Sequence, residues 1–296
     1  MSYFYAYQPL LDLLLINAGF ALSQYIVLRA GVFSIATPGI VAIGAYLAAI
    51  LMVRHDISIW GAAPAGLVAG LVVGYVLSIP LARLRGPYQA IATLAFVQFV
   101  IALALYAEPV TGGAVGISDI PKQVSTVGLV GCVAATIYVL SSIHKTRLGR
   151  IFDALRQDEA VAASLGISVE FHHALAFGLS GAIAGLFGAL QAGYVYAIEP
   201  QQYGFAMLTT TLAAVILGGR RSVWGPIAGA ALMTALPELG RPLADNKLLM
   251  NGLLLTLMII FLPRGLVDSV LWMRDRRRNS ASLGPASSKI ERPVQP

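Results

Sequence analysis

The chain contains a single cysteine and only four histidines among its 296 residues. Cys132 lies in the middle of an apolar stretch and cannot form an internal disulfide, which predicts a packed core thiol rather than a redox or metal-binding group. The histidines lie in loops or at the ends of apolar stretches, and none is spaced with carboxylates as metal ligands are. No Ser-His-Asp arrangement with a local signature occurs in the sequence. We therefore expect no metal site, no catalytic residues and no cofactor.

A phosphate-binding loop is also missing from the sequence. Such a loop places a lysine directly after a glycine and before a serine or threonine, because that lysine and the backbone amides hold the phosphates. The four lysines of this chain instead follow Pro121, His144, Asn246 and Ser288. We therefore expect that the chain is not an enzyme and that any ATP hydrolysis comes from another chain.

Charged residues are scarce, at 11% of the chain against 57% hydrophobic residues, which is far from the balance of a soluble domain. Six uncharged apolar stretches are each about 20 residues or longer, enough to cross a bilayer as a helix, and three shorter ones complete the set. The sequence therefore predicts an all-α, polytopic transmembrane bundle of about nine spans, within a range of roughly eight to ten. The stretches are residues 31–53, 57–82, 86–107, 123–143, 174–198 and 200–219, with 13–28, 222–237 and 248–263 as the shorter ones.

Lysine and arginine are unevenly distributed between the two ends of these stretches. Threading the chain through nine crossings places 16 of the 20 on one side and leaves Arg54, Lys122, Arg241 and Lys247 on the other. The richer side should be cytoplasmic, which predicts an outside N-terminus and an inside C-terminus. No lysine or arginine precedes Arg29, so we expect the first stretch to be retained as a span rather than removed as a signal peptide.

We expect residues 1–270 to form one transmembrane domain, because no long polar insertion interrupts them. Residues 271–296 are rich in serine, proline and arginine and are predicted to be a disordered, basic cytoplasmic tail. The net charge of +6 arises from residues that flank the spans. Membrane lipid is therefore the expected partner of these charges, and a nucleic acid is not.

Two loops are long enough to carry a function. The 108–122 loop contains three glycines and two prolines, which favour irregular backbone over helix. In the 144–170 segment, residues Ile151 to Leu165 include no proline or glycine, which predicts one continuous helix that ends at Gly166. This helix is too short and too charged to cross a membrane, and it lies where a cytoplasmic partner can contact it.

Glycines recur every fourth residue in three of the apolar stretches. This spacing clears a stripe along a helix, so we predict close packing against a neighbouring backbone at Gly66, Gly70 and Gly74, at Gly181 and Gly185, and at Gly225 and Gly229. A second pattern occurs twice at the inside start of a span, as a faint internal repeat, and related halves are common in transporters. It consists of Gly31, Ser34 and Pro38, and again of Gly219, Ser222 and Pro226.

An ion-coupled carrier would need an acidic group deep in the membrane. The acidic candidates lie near the outer ends of the predicted stretches, which argues against that class; they are Asp12, Glu108, Glu199 and Glu238. Uncharged polar side chains remain for the interior. They either form a path for a small polar solute or bond one helix to another, and the residues alone leave both open. They are Asn17, Gln24, Thr93, Gln98, Gln191, Thr209, Thr210, Thr211 and Asn251.

Five segments carry a more specific signal, and the resemblance that they support covers residues from about 30 to 267, nearly the whole membrane domain. They are LRGPYQAIATLAF at 84–96, TGGAVGIS at 111–118, ALRQDE with SLGI at 154–167, LGG with SVWGP at 217–226, and PRGL at 263–266. In this order, they resemble the LivM-type permease subunits of bacterial branched-chain amino acid ABC importers.

The resemblance implies one subunit of a heteromeric importer in the bacterial inner membrane. The implied partners are a second homologous permease, two cytoplasmic ATPase subunits and a periplasmic substrate-binding protein, and the implied mechanism is alternating access driven by the ATPases. The resemblance also identifies 144–170 as the coupling segment that seats in a groove of an ATPase, with Ala154, Asp158, Glu159 and Gly166 at the matching positions. For the substrate path or gate we predict Tyr88, Thr93, Thr111, Gly112, Gly113 and Gly116.

The chain departs from the family's pattern at three places. Ala163 stands where the family often carries an acidic residue, Ala114 and Val115 stand where proline and asparagine are frequent, and Arg220 and Arg221 replace small or apolar residues. Permeases for urea or short amides are closely similar, and sugar permeases share the general architecture. The substrate therefore stays open between branched-chain amino acids and these alternatives.

Overall fold

The structure is a computed structural model that describes residues 2–239 apart from 83, 85 and 221. The predicted span at 248–263, with Asn251, and the predicted tail at 271–296 lie outside the described residues. The described part folds into helices, and a short 3-10 helix covers Pro200–Tyr203. The α-helices are α1 Ser2–Arg29, α2 Thr37–His55, α3 Ile59–Leu81, α4 Pro87–Tyr106, α5 Glu108–Thr111, α6 Thr126–Lys145, α7 Arg147–Gln157, α8 Glu159–Ser164, α9 Val169–Ala192, α10 Phe205–Gly218 and α11 Trp224–Leu239.

Six of these helices are long and apolar enough to cross a membrane, namely α1 from Tyr7 onward, α2, α3, α4, α6 and α9. Helices α10 and α11 are shorter, at 14 and 16 residues. The predicted all-α, polytopic bundle is therefore confirmed, whereas the count of about nine spans stays a prediction.

Burial divides the long helices into an inner and an outer group. In α1, α2 and α9, 67% of the most apolar window is buried, whereas the share is 33% in α3 and α4 and 22% in α6. Helix α9 packs against α3, α2 and α1. The fully buried Tyr25, Phe187, Ile40 and Met52 are among the largest side chains of this core.

The seam between α3 and α9 is made of glycine. A Cβ atom at Gly70 would overlap the carbonyl oxygen of Gly181, and one at Gly185 would overlap the carbonyl oxygen of Gly66. Backbone therefore lies directly on backbone along this seam, as the fourth-residue spacing predicts. Gly229 of α11 meets the Ala214 backbone of α10 in the same way.

The two glycine–serine–proline patterns fold into similar turns. Gly31 and Gly219 both adopt a positive φ, of 90° and 103°. The hydroxyl of Ser34 accepts a hydrogen bond from the Ala36 amide at 3.3 Å, and Ser222 accepts one from the Trp224 amide at the same distance. A new helix begins directly after each turn, so the similarity seen in the sequence extends to the backbone.

Candidate coupling site and substrate path

The prediction of one continuous helix from Ile151 to Leu165 is wrong, because the helix is interrupted at Asp158 and its second part ends at Ser164. Helix α7 ends at Gln157, and Asp158 is extended, with φ −160° and ψ 113°. Its carboxylate accepts hydrogen bonds from the backbone amides of Ala160, at 2.8 Å, and Val161, at 3.1 Å. Aspartate is more favourable at the N-cap of a helix than in its interior, because its carboxylate can accept hydrogen bonds from the first free amides. Asp158 therefore ends α7 and begins α8.

The four predicted coupling positions lie along this two-helix segment. Ala154 and Glu159 are half-buried, whereas Asp158 and Gly166 are exposed. Gly166 has a φ of +82°, and nothing lies within 4 Å of the position of a Cβ atom there, as expected for a helix stop. Beside them, Val161 and Leu165 expose 56% and 74% of their surface. Within the described part of the chain, this face of α8 is not covered, so a partner protein can contact it.

Helix α7 is fixed to the end of α1 by an ion pair that sequence reasoning missed. The Arg29 guanidinium donates to both carboxylate oxygens of Asp153, at 3.0 Å and 3.3 Å. The Arg29 side chain is 5% exposed and that of Asp153 is 41% exposed. Phe152 of α7 is buried in a cluster that includes Tyr25, and Leu155 of the same helix is also buried.

The turn after α1 also rests on α7. A Cβ atom at Gly31 would lie 3.0 Å from the Cα atom of Arg156. Glycine is therefore needed at this position for two reasons: the positive φ and the close approach of the two backbones.

Helix α8 approaches α9 through His173 and Glu159. The Nε2 atom of His173 lies 4.0 Å from a carboxylate oxygen of Glu159, and it makes no hydrogen bond within the described residues. A cavity of about 310 Å³ opens here and is lined by Gln89, Glu170 and both members of the pair, among others. Helix α7 is thus hydrogen-bonded to α1, whereas Glu159 of α8 lies beside His173 of α9 without a hydrogen bond between them.

The connection from α1 to α2 is held by buried polar side chains. The Gln24 amide donates to the Ser34 carbonyl oxygen and accepts from the Thr37 hydroxyl. The hydroxyl of Thr93 on α4 accepts from the Ile35 amide at 3.1 Å. Thr93, a predicted path residue, is fully buried here and binds backbone.

Tyr88, the other predicted path residue on α4, is 69% exposed in the first turn of that helix. The structure therefore does not bring it together with Thr93. Asn17, by contrast, donates to the Thr234 hydroxyl of α11 at 3.0 Å. Of the two roles left open for the interior polar residues, hydrogen bonding within the protein describes Asn17, Gln24 and Thr93. Asn17 and Gln24 each bond to another helix, and Thr93 bonds to the connection before α2.

The remaining predicted gate residues come together in the 108–122 loop. The Thr111 hydroxyl donates to the Ala104 carbonyl oxygen at 2.6 Å. Gly112, Gly113 and Gly116 all have positive φ, between 62° and 78°. The predicted irregular backbone is present, except that the first four residues form the single-turn helix α5.

This loop is fastened to the chain that follows α9. Ile117 and Ile198 exchange two backbone hydrogen bonds, at 3.1 Å and 3.0 Å. The Tyr196 hydroxyl donates to the Asp119 carboxylate. This hydrogen bond and the negative charge of Asp119 raise the pKa of the Tyr196 phenol. The loop is therefore held in place by hydrogen bonds to the segment that follows α9 and is not a free connection.

These features define a polytopic helical membrane protein: long apolar helices, a glycine seam between two of them, and a short polar segment at one end. The sequence profile of the family described as branched-chain amino acid transport system / permease component matches residues 11–263. The chain belongs to this family, which confirms the resemblance drawn from its motifs.

Individual relatives are permease proteins. The chain is 34% identical over 264 residues to the high-affinity branched-chain amino acid transport system permease protein LivM of Escherichia coli (strain K12), covering 77% of this chain and 62% of LivM. It is 26% identical over 200 residues to the autoinducer 2 import system permease protein LsrC of Salmonella paratyphi B, covering 63% and 57%. It is 28% identical over 137 residues to the permease protein LivH of Salmonella typhimurium, covering 46% and 43%. The match thus spans less than two thirds of the length of LivM.

Proposed function

We propose that this chain is a permease subunit of an ATP-binding-cassette importer that takes up branched-chain amino acids by alternating access. It is not itself an enzyme; two cytoplasmic ATPase subunits hydrolyse the ATP. A second homologous permease pairs with it, a periplasmic protein delivers the substrate, and lipid of the bacterial inner membrane surrounds it. The N-terminus is outside and the C-terminus inside. Family membership supports the transport role, and the name of the LivM relative supports the substrate.

The observation that carries this proposal is the α7–α8 segment. It is polar, too short to cross a membrane, and exposed on one face. Its other face is joined to α1 through the Arg29–Asp153 ion pair and lies next to His173 of α9. A segment of this kind can receive a push from a cytoplasmic partner and pass it to two inner helices. The Ala154, Asp158, Glu159 and Gly166 positions are then the contacts with the ATPase.

Two variants test this segment in cells that express the chain with its co-encoded ATPases, permease partner and binding protein. Glu159→Arg reverses a charge on α8, and Gly166→Trp places a bulky side chain on the exposed stop with a φ of +82°. We expect each to reduce radiolabelled leucine uptake at least about tenfold, because contacts that carry about 1.4 kcal/mol or more are lost.

Matched controls keep this test specific. Glu159→Gln retains the shape of the side chain, and Gly166→Asn retains a residue that tolerates positive φ, so both should keep most of the uptake. Membrane abundance and co-purification of the ATPases are measured in parallel. Full uptake by the Arg and Trp variants would contradict the coupling role. Wild-type cells that take up urea, an amide or a sugar instead of leucine would change the substrate and leave the architecture in place.

The ion-coupled alternative makes a different prediction for Asp12. This residue of α1 is 4% exposed, and one of its carboxylate oxygens has no hydrogen-bond partner within the described residues. A carrier driven by protons or sodium would use such a group. An importer driven by ATP does not, so we expect Asp12→Asn to keep at least about half of the leucine uptake, since the amide is nearly isosteric and removes a buried charge. Loss of uptake by a well-inserted Asp12→Asn protein, together with sensitivity of wild-type uptake to a protonophore in ATP-loaded proteoliposomes, would favour the carrier.

A further inference from the structure

Gln98 lies in the middle of α4 with its side chain exposed. Helix α4 has 20 residues, which at about 1.5 Å per residue give a length of about 30 Å, close to the thickness of the hydrocarbon core. Gln98 is the twelfth of these residues, so its amide lies near the midplane. In the described part of the chain, it is the one exposed amide at the centre of a long apolar helix.

Two other amides within the long helices, one near the middle of α1 and one nearer its end, have protein partners. Asn17 bonds to Thr234, and Gln24 bonds to Ser34 and Thr37. Gln98 makes no hydrogen bond within the described residues. Lipid tails offer an amide neither a donor nor an acceptor, and membrane proteins therefore turn such groups towards protein or towards a polar cavity.

The exposed arc of α4 has two different sides. At about 100° per residue, Ala95 and Ala102 lie within about 60° of Gln98, whereas Phe99 and Leu103 lie about 100° to 140° away from it. Phe99 and Leu103 are 63% and 56% exposed and are suited to lipid. The short Ala95 and Ala102 lie between Gln98 and Phe99 and leave room on that flank of the amide. The larger Ile91, which is 64% exposed, and Leu94 lie within about 40° of Gln98.

We propose that Gln98 binds the substrate in the translocation path; this inference rests on the proposed function. The side-chain amide can donate from Nε2 to the α-carboxylate of an amino acid and accept at Oε1 from its α-ammonium group. Because the amide carries no charge, it can hydrogen-bond to both ends of the zwitterion. It does not attract either end as strongly as an opposite charge would. The small side chains of Ala95 and Ala102 leave space for the substrate beside it.

The first test uses thiol labelling in the complete importer, in a Cys132→Ala background that removes the single native cysteine. Gln98→Cys is compared with Phe99→Cys, which is at the same depth on the lipid-suited side of the helix. We expect a water-soluble methanethiosulfonate reagent to modify the thiol of Gln98→Cys and 10 mM leucine to slow that reaction at least about fivefold, as for a site largely occupied by ligand. The thiol of Phe99→Cys should not react. No reaction at position 98, or a reaction that leucine does not slow, would overturn the proposal.

The second test measures transport. Gln98→Leu should lower leucine uptake about tenfold with normal membrane abundance, because a hydrogen bond to a charged group is lost. Gln98→Asn should recover part of it, and Phe99→Leu should be unchanged. If Gln98→Leu instead fails to co-purify with the second permease, the amide bonds to that partner and the substrate role is wrong. Wild-type cells without leucine uptake would contradict the proposed function, whereas equal uptake by wild type and Gln98→Leu would contradict only the role of Gln98.

Discussion

Replacing Gly70 by alanine is expected to lower the thermal unfolding midpoint of the permease by roughly 5–10 °C and to leave much of the protein misassembled. The added Cβ atom would overlap the carbonyl oxygen of Gly181 and would lie 2.9 Å from its carbonyl carbon and 3.0 Å from the Cα atom of Gly185. These are backbone atoms of α9, so no side chain can rotate away to make room. The two helices must separate along the seam, and overpacking of this kind costs about 3 kcal/mol.

Gly178→Ala is the matched control for that experiment. It adds the same methyl group to α9 on the same side of the bundle, but its nearest neighbours are the Leu71 carbonyl oxygen and the Tyr75 Cβ atom, each at 3.9 Å. Its midpoint should equal or slightly exceed that of the wild type, because alanine favours helix more than glycine does. The measurement is the unfolding midpoint and the monodisperse fraction after extraction in detergent. Equal midpoints for the two alanine variants would show that the seam does not depend on direct backbone contact.

Much of this architecture follows from local sequence. Five of the six long apolar stretches predict long helices, namely α2, α3, α4, α6 and α9. The sixth, 200–219, contains the 14-residue α10, and the long helix α1 covers the shorter stretch 13–28. The spacing of Gly66, Gly70 and Gly74 predicts a face for close packing because it repeats along one helix. What hydropathy cannot predict is where a stretch contains a turn. Residues 31–36 are apolar yet not helical, because Gly31 has a positive φ and Gln24 binds the backbone of Ser34. Gly204 and Gly219 likewise limit α10 to 14 residues.

The candidate coupling site could be predicted only in part. Composition and motif predict the position of the segment and its end at Gly166. Helix propensity fails at Asp158, since propensity describes an aspartate inside a helix and not one that caps the next helix. The attachment of the segment was not predictable, because Arg29 and Asp153 are 124 residues apart and neither lies in a motif. Gln98 could be recognised as polar, but only the fold separates it from Gln24 and Thr93, which bind within the protein.

Reversing the charge of Asp153 is expected to abolish leucine uptake while ATP hydrolysis by the assembled complex continues. In the Asp153→Arg variant, Arg29 would lose its partner while its side chain is 5% exposed, and it would face a second positive charge. Because Asp153 is 41% exposed, solvent screens part of this effect, and the stability cost should be about 1–3 kcal/mol rather than that of a fully buried pair. Helix α7 would then no longer be fixed to α1, so its movement would not reach the inner helices.

A variant that exchanges the two charges distinguishes loss of the link between α1 and α7 from a general loss of stability. The double variant Arg29→Asp with Asp153→Arg restores an ion pair between the same helices and should recover a measurable share of uptake, whereas Arg29→Asp alone should not. Arg150→Asp is the control, because it reverses a charge at an exposed position of the same helix that has no ion pair within the described residues, and it should leave uptake within about twofold of wild type. Uptake and ATPase activity are measured on the same reconstituted complexes. If Asp153→Arg transports leucine as well as Arg150→Asp does, the pair is not needed to carry movement from α7 to α1, and His173 beside Glu159 becomes the connection to test next.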